Sequence, residues 1–212
     1  MPRVWAEDPD VQLMLAFQQG RRDAFDELVR RNAPKVFSVV YRFVNDTAEA
    51  EDLTQEVFMR VLRTASRYTA KAKFTTWLYR IATNVSLNAL RARGKARTVS
   101  LELPGRGPDE EFERHLPDEA TADSGERMAR AELRDRIADA LDALPETQRT
   151  AIILNKYEGL SYEDIAGILD CSTMAVKSLL SRARGNLRQR LSRYLARRPP
   201  DSGPDPDEGD ES

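Results

Sequence analysis

The chain has 212 residues, of which 41% are hydrophobic and 32% are charged, with a formal net charge of −2. Its one cysteine and one histidine exclude a disulfide framework and a His/Cys zinc site, and we expect no metal or cofactor. The small net charge conceals a segregation of charge. Residues 57–101 and 171–198 carry ten and eight basic residues without an acid, whereas 100–126 and 199–212 carry nine and six acids. Cationic blocks of this kind are typical of a protein that binds a polyanion.

The sequence also argues against two broad classes of protein. It contains no signal-peptide pattern and no apolar run of about 18 residues, so we expect a cytoplasmic protein without membrane insertion. It contains no glycine-rich phosphate loop and no nucleophile–base pair, and its single histidine, His115, lies in an acidic segment. We therefore expect that the protein is not an enzyme.

Apolar residues at helical spacing predict an all-α chain. After an N-terminal extension at 1–9, Asp10 is predicted to cap a first helix that stops at Gly20. Asp23 is predicted to cap a second helix, which Pro34 kinks or splits. Asp46 with Glu49 resembles a capping box and opens a third helix, with Leu53, Val57, Phe58, Val61 and Leu62 on one face.

Residues 66–73 are polar and basic and are predicted to form a loop. A helix then opens at Thr75 or Thr76 and ends at Gly94, which completes a first domain at 10–95. Residues 96–127 are rich in proline, glycine and acids and predict a flexible linker. A second helical domain is predicted at 128–198, interrupted at Pro145, and the acidic tail at 199–212 is predicted to be disordered.

Residues 160–180 have the pattern of a helix-turn-helix. Ser161 is placed to cap its first helix, Asp170 occupies the turn, and Ser172 is placed to cap its second helix. Ala166 and Val176, ten residues apart, are predicted to pack where the helices cross. A second helix of this kind enters the DNA major groove. The alternative is an ordinary helical hairpin with a solvated basic face; taken alone, the motif fits a repressor or an activator.

Two further segments resemble a known family. Residues 50–58 (AEDLTQEVF) and 74–84 (FTTWLYRIATN) resemble region 2 of bacterial RNA polymerase sigma factors, and residues 144–184 resemble their region 4. With only these two regions and a short linker, the chain resembles the extracytoplasmic-function class. The resemblance implies two small helical domains and a subunit that binds core polymerase and directs transcription initiation at promoter DNA. It also implies an anti-sigma partner.

The resemblance implies roles for three sets of residues. The set that docks on the clamp helices of the polymerase β′ subunit is Asp52, Gln55 and Glu56. The set that binds and melts the minus-ten element is Arg67, Tyr68, Lys71, Lys73, Phe74, Trp77 and Asn84. Asn84 stands at the base pocket, and Trp77 is more often a core residue than a DNA platform. The set that reads the minus-thirty-five element is Thr173, Lys177, Ser178, Leu179, Ser181 and Arg182.

Several alternatives stay open at this point. The polar stripe with Asp52 is either a docking surface or a solvated face. Leu179 stands where the family commonly has arginine, so it either touches a thymine methyl group or packs on a sugar edge. The acidic linker is either a solvated tether or follows the RNA exit path of the polymerase. Region 4 is also expected to bind the β flap, and the tail either contacts a regulator or competes with DNA. A stand-alone helix-turn-helix regulator with a sensory domain is the competing function.

Overall fold

The computed structural model describes residue 5 and residues 7–100 and 124–195, with side chains at 5, 7–93 and 132–192. Within these ranges every regular element is helical, as the sequence predicted. The tail at 199–212 and residues 101–123 of the predicted linker lie outside the described residues. Both ends of that linker, 96–100 and 124–127, belong to helices, so its predicted bounds are wrong. The helices are α1 Pro9–Gln18, α2 Arg22–Val44, α3 Thr47–Thr64, α4 Phe74–Ser100, α5 Ser124–Asp142, α6 Glu146–Ile152, α7 Tyr162–Leu169 and α8 Thr173–Leu195.

The first four helices form the N-terminal module, which is built around α2. Helices α1, α3 and α4 all pack against α2, and the α2 side chains that face them are almost completely buried, among them Leu28, Val36, Val39 and Phe43. A buried polar contact joins α1 to α2: the Asn32 amide donates to Asp10 at 3.2 Å and to the Leu28 carbonyl at 3.0 Å. Burial of a polar pair is tolerated when its members bond to each other.

Helices α5 to α8 form the C-terminal module. After Pro145, α6 continues into a single π-helical turn at Ile153–Tyr157, and the chain then reverses at Gly159, whose φ is +64°. The Arg149 side chain is almost buried; it donates to the Leu141 carbonyl at 2.9 Å and pairs with Asp142. This contact ties the end of α5 to α6.

Four predicted helix boundaries in the N-terminal module are wrong. Helix α1 is capped by Asp8, whose carboxylate accepts from the Asp10 amide at 2.9 Å, because Pro9 is preorganised for the first helical position. Helix α2 begins before Asp23, with Arg21 at its cap. Helix α4 begins at Phe74 and runs through Gly94 to Ser100, since one glycine costs only about 1 kcal/mol and good helix formers follow it.

Pro34 does not split α2, which is one helix from Arg22 to Val44. The proline is exposed, so the backbone carbonyl that it leaves without a partner lies on the solvent side of the helix. The predicted stop at Gly20 is confirmed by its left-handed φ of +96° just after α1. The cap of α3 is also confirmed, because the Asp46 carboxylate accepts from the Glu49 amide at 2.7 Å.

Candidate nucleic-acid interface

The helix-turn-helix is present with the local geometry that the sequence predicted. The Ser161 hydroxyl accepts from the Asp164 amide at 3.1 Å, and the Ser172 hydroxyl accepts from the Ala175 amide at 3.2 Å. Asp170 ends α7 in the left-handed conformation, with φ of 55°. Ala166 and Val176 are both buried. These contacts orient α8 so that its outer face is exposed.

The outer face of α8 carries most of the residues predicted to read the minus-thirty-five element. Thr173, Lys177, Ser181 and Arg182 are exposed, and the Arg182 guanidinium donates to the half-buried Ser178 hydroxyl at 2.7 Å. Leu179 differs: it is half-buried and packs against the hydrophobic core. Leu179 therefore lies at the boundary between the reading face and the core, and its contact with the minus-thirty-five element stays a prediction.

Sequence reasoning missed one exposed residue on the same face. Met174 lies in the first turn of α8, and 79% of its surface is exposed. It is by far the most exposed large hydrophobic residue in the part of the chain that the structure describes. The methionine carries no charge or motif signal, so only its position on the folded helix makes it conspicuous.

In the N-terminal module, α1 holds the start of the loop at 66–73. The Gln18 amide donates to the Ala65 carbonyl at 2.7 Å and to the Tyr68 carbonyl at 3.0 Å. The Phe74 amide donates to the Asp8 carboxylate at 3.4 Å, near the other end of the loop. These side chains of the α1 segment therefore position the loop between two helices, a role that no short sequence motif announces.

The aromatic residues in this loop and at the start of α4 are buried. Phe74 is completely buried and Tyr68 nearly so, and both rings contact Trp77, with ring centroids 5.7 and 4.9 Å from the Trp77 centroid. Burial raises the pKa of Tyr68 to about 12. The prediction that Tyr68 and Phe74 offer exposed aromatic surface is wrong for this conformation, because the three rings stabilise one another in a cluster. Trp77 is half-buried in that cluster, which favours core packing for it.

The polar residues predicted for the minus-ten element remain at the surface. Arg67 and Lys71 are exposed in the loop, and Asn84 is exposed on α4, two helical turns beyond Trp77. Lys73 is half-buried. Two cations, Arg67 and Lys71, and the Asn84 amide are therefore accessible to a nucleic acid, whereas Lys73 contacts the C-terminal module.

The two modules pack directly on each other, which the sequence did not predict. Helix α7 lies against α4, and a hydrophobic cluster continues from one module into the other. The Asp164 carboxylate accepts from the Lys73 ammonium at 3.1 Å and from the Thr76 hydroxyl at 3.3 Å. Burial tends to raise the pKa of Asp164, but hydrogen bonds from Ser161, Lys73 and Thr76 outweigh it and lower that pKa.

Other contacts extend this interface between the two modules, which we call the closed interface. The Tyr79 hydroxyl donates to the Glu158 carboxylate at 2.8 Å, and burial together with this bond raises the pKa of Tyr79. The Arg42 guanidinium lies 4.2 Å from the centre of the Tyr157 ring. Two solvent-exposed ion pairs lie at its margins. Arg80 and Asp170 are 3.7 Å apart, whereas Arg91 and Glu146 form a bidentate pair in which Arg91 Nε donates at 2.9 Å. Acidic groups of the C-terminal module thus pair with the basic segment of α4.

The third predicted set lies on α3. Asp52 and Gln55 are exposed, and Glu56 is half-exposed and accepts from Arg60 at 2.7 Å. Met59 and Leu62 continue this face, with 46% and 41% of their surfaces exposed. Leu62 was predicted to face the core, and that prediction is wrong, because α3 turns it outward beyond the core residue Val61. The face is therefore mixed, with polar residues at one end and apolar residues at the other.

In the described ranges, no helix is long and apolar enough to cross a membrane, and no group of three or more acidic, histidine or cysteine side chains is arranged to hold a metal ion. Cys171 is half-buried and packs against the core. The arrangement thus consists of a helix-turn-helix with an exposed outer face on α8, a basic segment with an exposed amide, and a mixed face on α3. These features define an all-helical protein with two modules of the kind that DNA-binding proteins use.

Comparisons with known proteins confirm the family resemblance. Residues 28–96 match Sigma-70 region 2, and residues 134–187 match Sigma-70 region 4. The RNA polymerase sigma-H factor of Pseudomonas aeruginosa is 38% identical over 197 residues, which cover 89% of this chain and 97% of that protein. The ECF RNA polymerase sigma-E factor of Haemophilus influenzae is 36% identical over 182 residues, covering 86% of this chain and 95% of that protein.

A solved structure agrees with this assignment. The sigma factor RpoE of Bartonella quintana, determined in complex with the anti-sigma factor NepR, superposes with a TM-score of 0.60. It is 26% identical, and the match covers 79% of this chain and 96% of that chain. The protein belongs to the extracytoplasmic-function family of RNA polymerase sigma factors, and it functions in transcription initiation.

Proposed function

We propose that the chain binds core RNA polymerase and directs it to promoters with two DNA-contacting surfaces. The outer face of α8 reads the minus-thirty-five element, and the loop at 66–73 with the exposed face of α4 engages the melted minus-ten element. One observation supports this above the others. The reading face of α8 is exposed and free of acids, and α8 is the second helix of a helix-turn-helix in which a serine caps the start of each helix.

We assign polymerase docking to the face of α3. Asp52, Gln55 and Glu56 supply polar contacts to the β′ clamp helices, and Met59 and Leu62 add apolar area beside them. Interfaces of this type combine an apolar centre with a polar rim. The C-terminal module binds the β flap, and the acidic linker follows the RNA exit path, where its charge complements a cationic channel.

The closed arrangement must open for this function. Lys73 and Thr76 share the Asp164 carboxylate, and Tyr79 bonds to Glu158, so these groups of the minus-ten segment are engaged by the C-terminal module. Asp164 pairs with the Lys73 charge, and α7 covers the α4 surface beside it, so the closed form weakens the contact of this segment with DNA. We infer that docking on polymerase at two separated sites moves α7 away from α4.

The remaining parts of the proposal follow from the family. The chain acts without catalysis of its own and without a cofactor, in the cytoplasm, and an anti-sigma protein holds it inactive. The Bartonella quintana relative was solved in complex with an anti-sigma factor, which supports a partner of the same kind here. Promoter DNA and core polymerase are its other partners.

Reconstituted transcription with purified core polymerase tests the proposal. Asn84→Ala should impair promoter opening, read by permanganate reactivity of unpaired thymines, while polymerase binding stays intact, because Asn84 is an exposed amide outside the α3 face. Lys177→Ala should weaken recognition of the upstream element by roughly 1–3 kcal/mol if its contact is to a base.

The competing function predicts a different set of results. A stand-alone regulator would bind duplex operator DNA tightly as purified protein and would not associate with core polymerase. That pair of results would overturn the proposal. An equal loss of binding on all DNA sequences for Lys177→Ala would instead assign this residue to a phosphate contact.

A further inference from the structure

The outer face of α8 has an apolar residue at its leading end. Residues at spacings of three and four share one face of a helix, so Met174, Ser178 and Ser181 lie in one row. Of these, Ser178 and Ser181 carry small hydroxyl groups, whereas Met174 projects a long apolar side chain from the first helical turn. In helix-turn-helix proteins the N-terminal residues of the second helix approach the base edges.

Exposure alone would not distinguish Met174, since single apolar residues are common on protein surfaces. The surroundings of Met174 distinguish it from such residues. Among the residues of α8 whose side chains are described, Met174 is the one large hydrophobic residue that is more than half exposed. Leu179, the other candidate for an apolar base contact, packs against the core instead. The reading face therefore has a single apolar contact point, flanked by Ser178 and Lys177.

We propose that Met174 is a specificity-determining residue that contacts the C5 methyl group of a thymine in the upstream element. The inference rests on the proposed function, since it assumes that α8 enters the major groove. The thymine methyl is the one apolar group that the base pairs present in that groove, and an apolar side chain is its natural partner. The unbranched thioether of methionine adapts to such a contact without a fixed geometry.

Uracil replaces thymine in DNA without its methyl group and without any change in hydrogen bonding, which allows a direct test. The preferred upstream element of the polymerase holoenzyme is first selected from a randomised duplex library. Each thymine of that element is then replaced in turn by deoxyuridine, and the affinity is measured with holoenzymes that contain the wild-type chain or Met174→Ala. The variant should fold normally because Met174 is 79% exposed, and its melting temperature checks this.

At one thymine the wild-type holoenzyme should lose about fourfold in affinity with uracil, the amount expected for one buried methyl group. Met174→Ala should show no loss at that same position and unchanged losses elsewhere. Met174→Leu serves as a matched control and should retain the thymine preference. Met174→Gln should shift the preference at that position toward adenine, because a glutamine amide pairs with the adenine edge.

Two results would overturn the inference. Equal uracil sensitivity of wild type and Met174→Ala at every thymine would exclude a methyl contact by this residue. A uniform loss of polymerase affinity in Met174→Ala, independent of the DNA sequence, would assign Met174 to a protein contact instead. Failure of the wild-type holoenzyme to select any upstream sequence would be distinguishable from both, since it would overturn the proposed function itself and the inference with it.

Discussion

Replacing Asp164 by asparagine should loosen the closed interface by an amount that the structure allows us to work out. The carboxylate accepts from Lys73 at 3.1 Å and from Thr76 at 3.3 Å across the two modules. The Lys73 side chain is 44% exposed, so its ion pair contributes only about 0.5 kcal/mol. A hydrogen bond to a charged acceptor is about twice as strong as one to a neutral acceptor, so the Thr76 bond weakens by about 0.5 kcal/mol.

The sum of about 1 kcal/mol corresponds to roughly a fivefold shift from closed toward open chains. Dyes can be attached to cysteines introduced at two exposed positions, Ser66→Cys and Ser192→Cys, in a chain in which Cys171 is replaced by alanine. Energy transfer between the dyes would report the separation of the modules. Asp164→Asn should increase the fraction of molecules with a long separation. The affinity for single-stranded minus-ten DNA should rise with it, up to fivefold, because affinity scales with the population of the competent state.

The exposed Glu163 on the same turn of α7 provides a matched control. Glu163→Gln removes the same charge next to the interface and should leave the distance distribution unchanged. If Asp164→Asn leaves the separation and the single-strand affinity at their wild-type values, the contacts of Asp164 do not hold the modules together. If both variants open the chain equally, the effect is one of net charge and the specific pairing is refuted.

Three further predictions concern the same surfaces. Tyr79→Phe should open the interface by about 1 kcal/mol, seen in the same energy-transfer assay, because it removes the bond to Glu158. Lowering the pH through the depressed pKa of Asp164, below the ordinary value of 3.8, should remove its contribution to closure, and Asp164→Asn should lack this step. Met59→Lys should weaken core-polymerase binding by about 2 kcal/mol in a titration, with an unchanged melting temperature, because Met59 is 46% exposed.

The local features of this fold could be predicted from the sequence because their causes lie within a few residues. The caps at Asp46 and Ser161 each bond to an amide three residues ahead, and the left-handed Asp170 follows from the short turn between two helices. Buried apolar residues recur at helical spacing along each helix, as they do around Val57 on α3 and around Leu78 on α4. Such signals predict which segments are helical and where the reading helix lies, without knowledge of the tertiary packing.

Features that depend on tertiary packing were not predictable in this way. The Lys73–Asp164 contact joins residues 91 positions apart, and no periodicity records which exposed charges will meet. Leu62 and Leu179 have the same apolar character, yet one is exposed and the other packs against the core. The rotation of each helix decides between these outcomes, and that rotation is set by its neighbours. The burial of the Tyr68 and Phe74 rings against Trp77 is not predictable for the same reason.

The closed form affects the two surfaces that we propose to contact DNA unequally. Helix α7 covers part of α4, whereas the outer face of α8 keeps Met174, Lys177 and Ser181 exposed. For the free chain, the free energy of opening is therefore subtracted from docking on polymerase and from binding at the minus-ten element, and not from duplex reading upstream. A change that weakens closure, such as Asp164→Asn, should thus raise the affinity of the free chain for core polymerase and for single-stranded minus-ten DNA without altering the preferred minus-thirty-five sequence. Under the proposed function, the interface between the modules consequently controls how readily the chain docks on polymerase and engages the minus-ten element, whereas the face of α8 controls its choice of promoter.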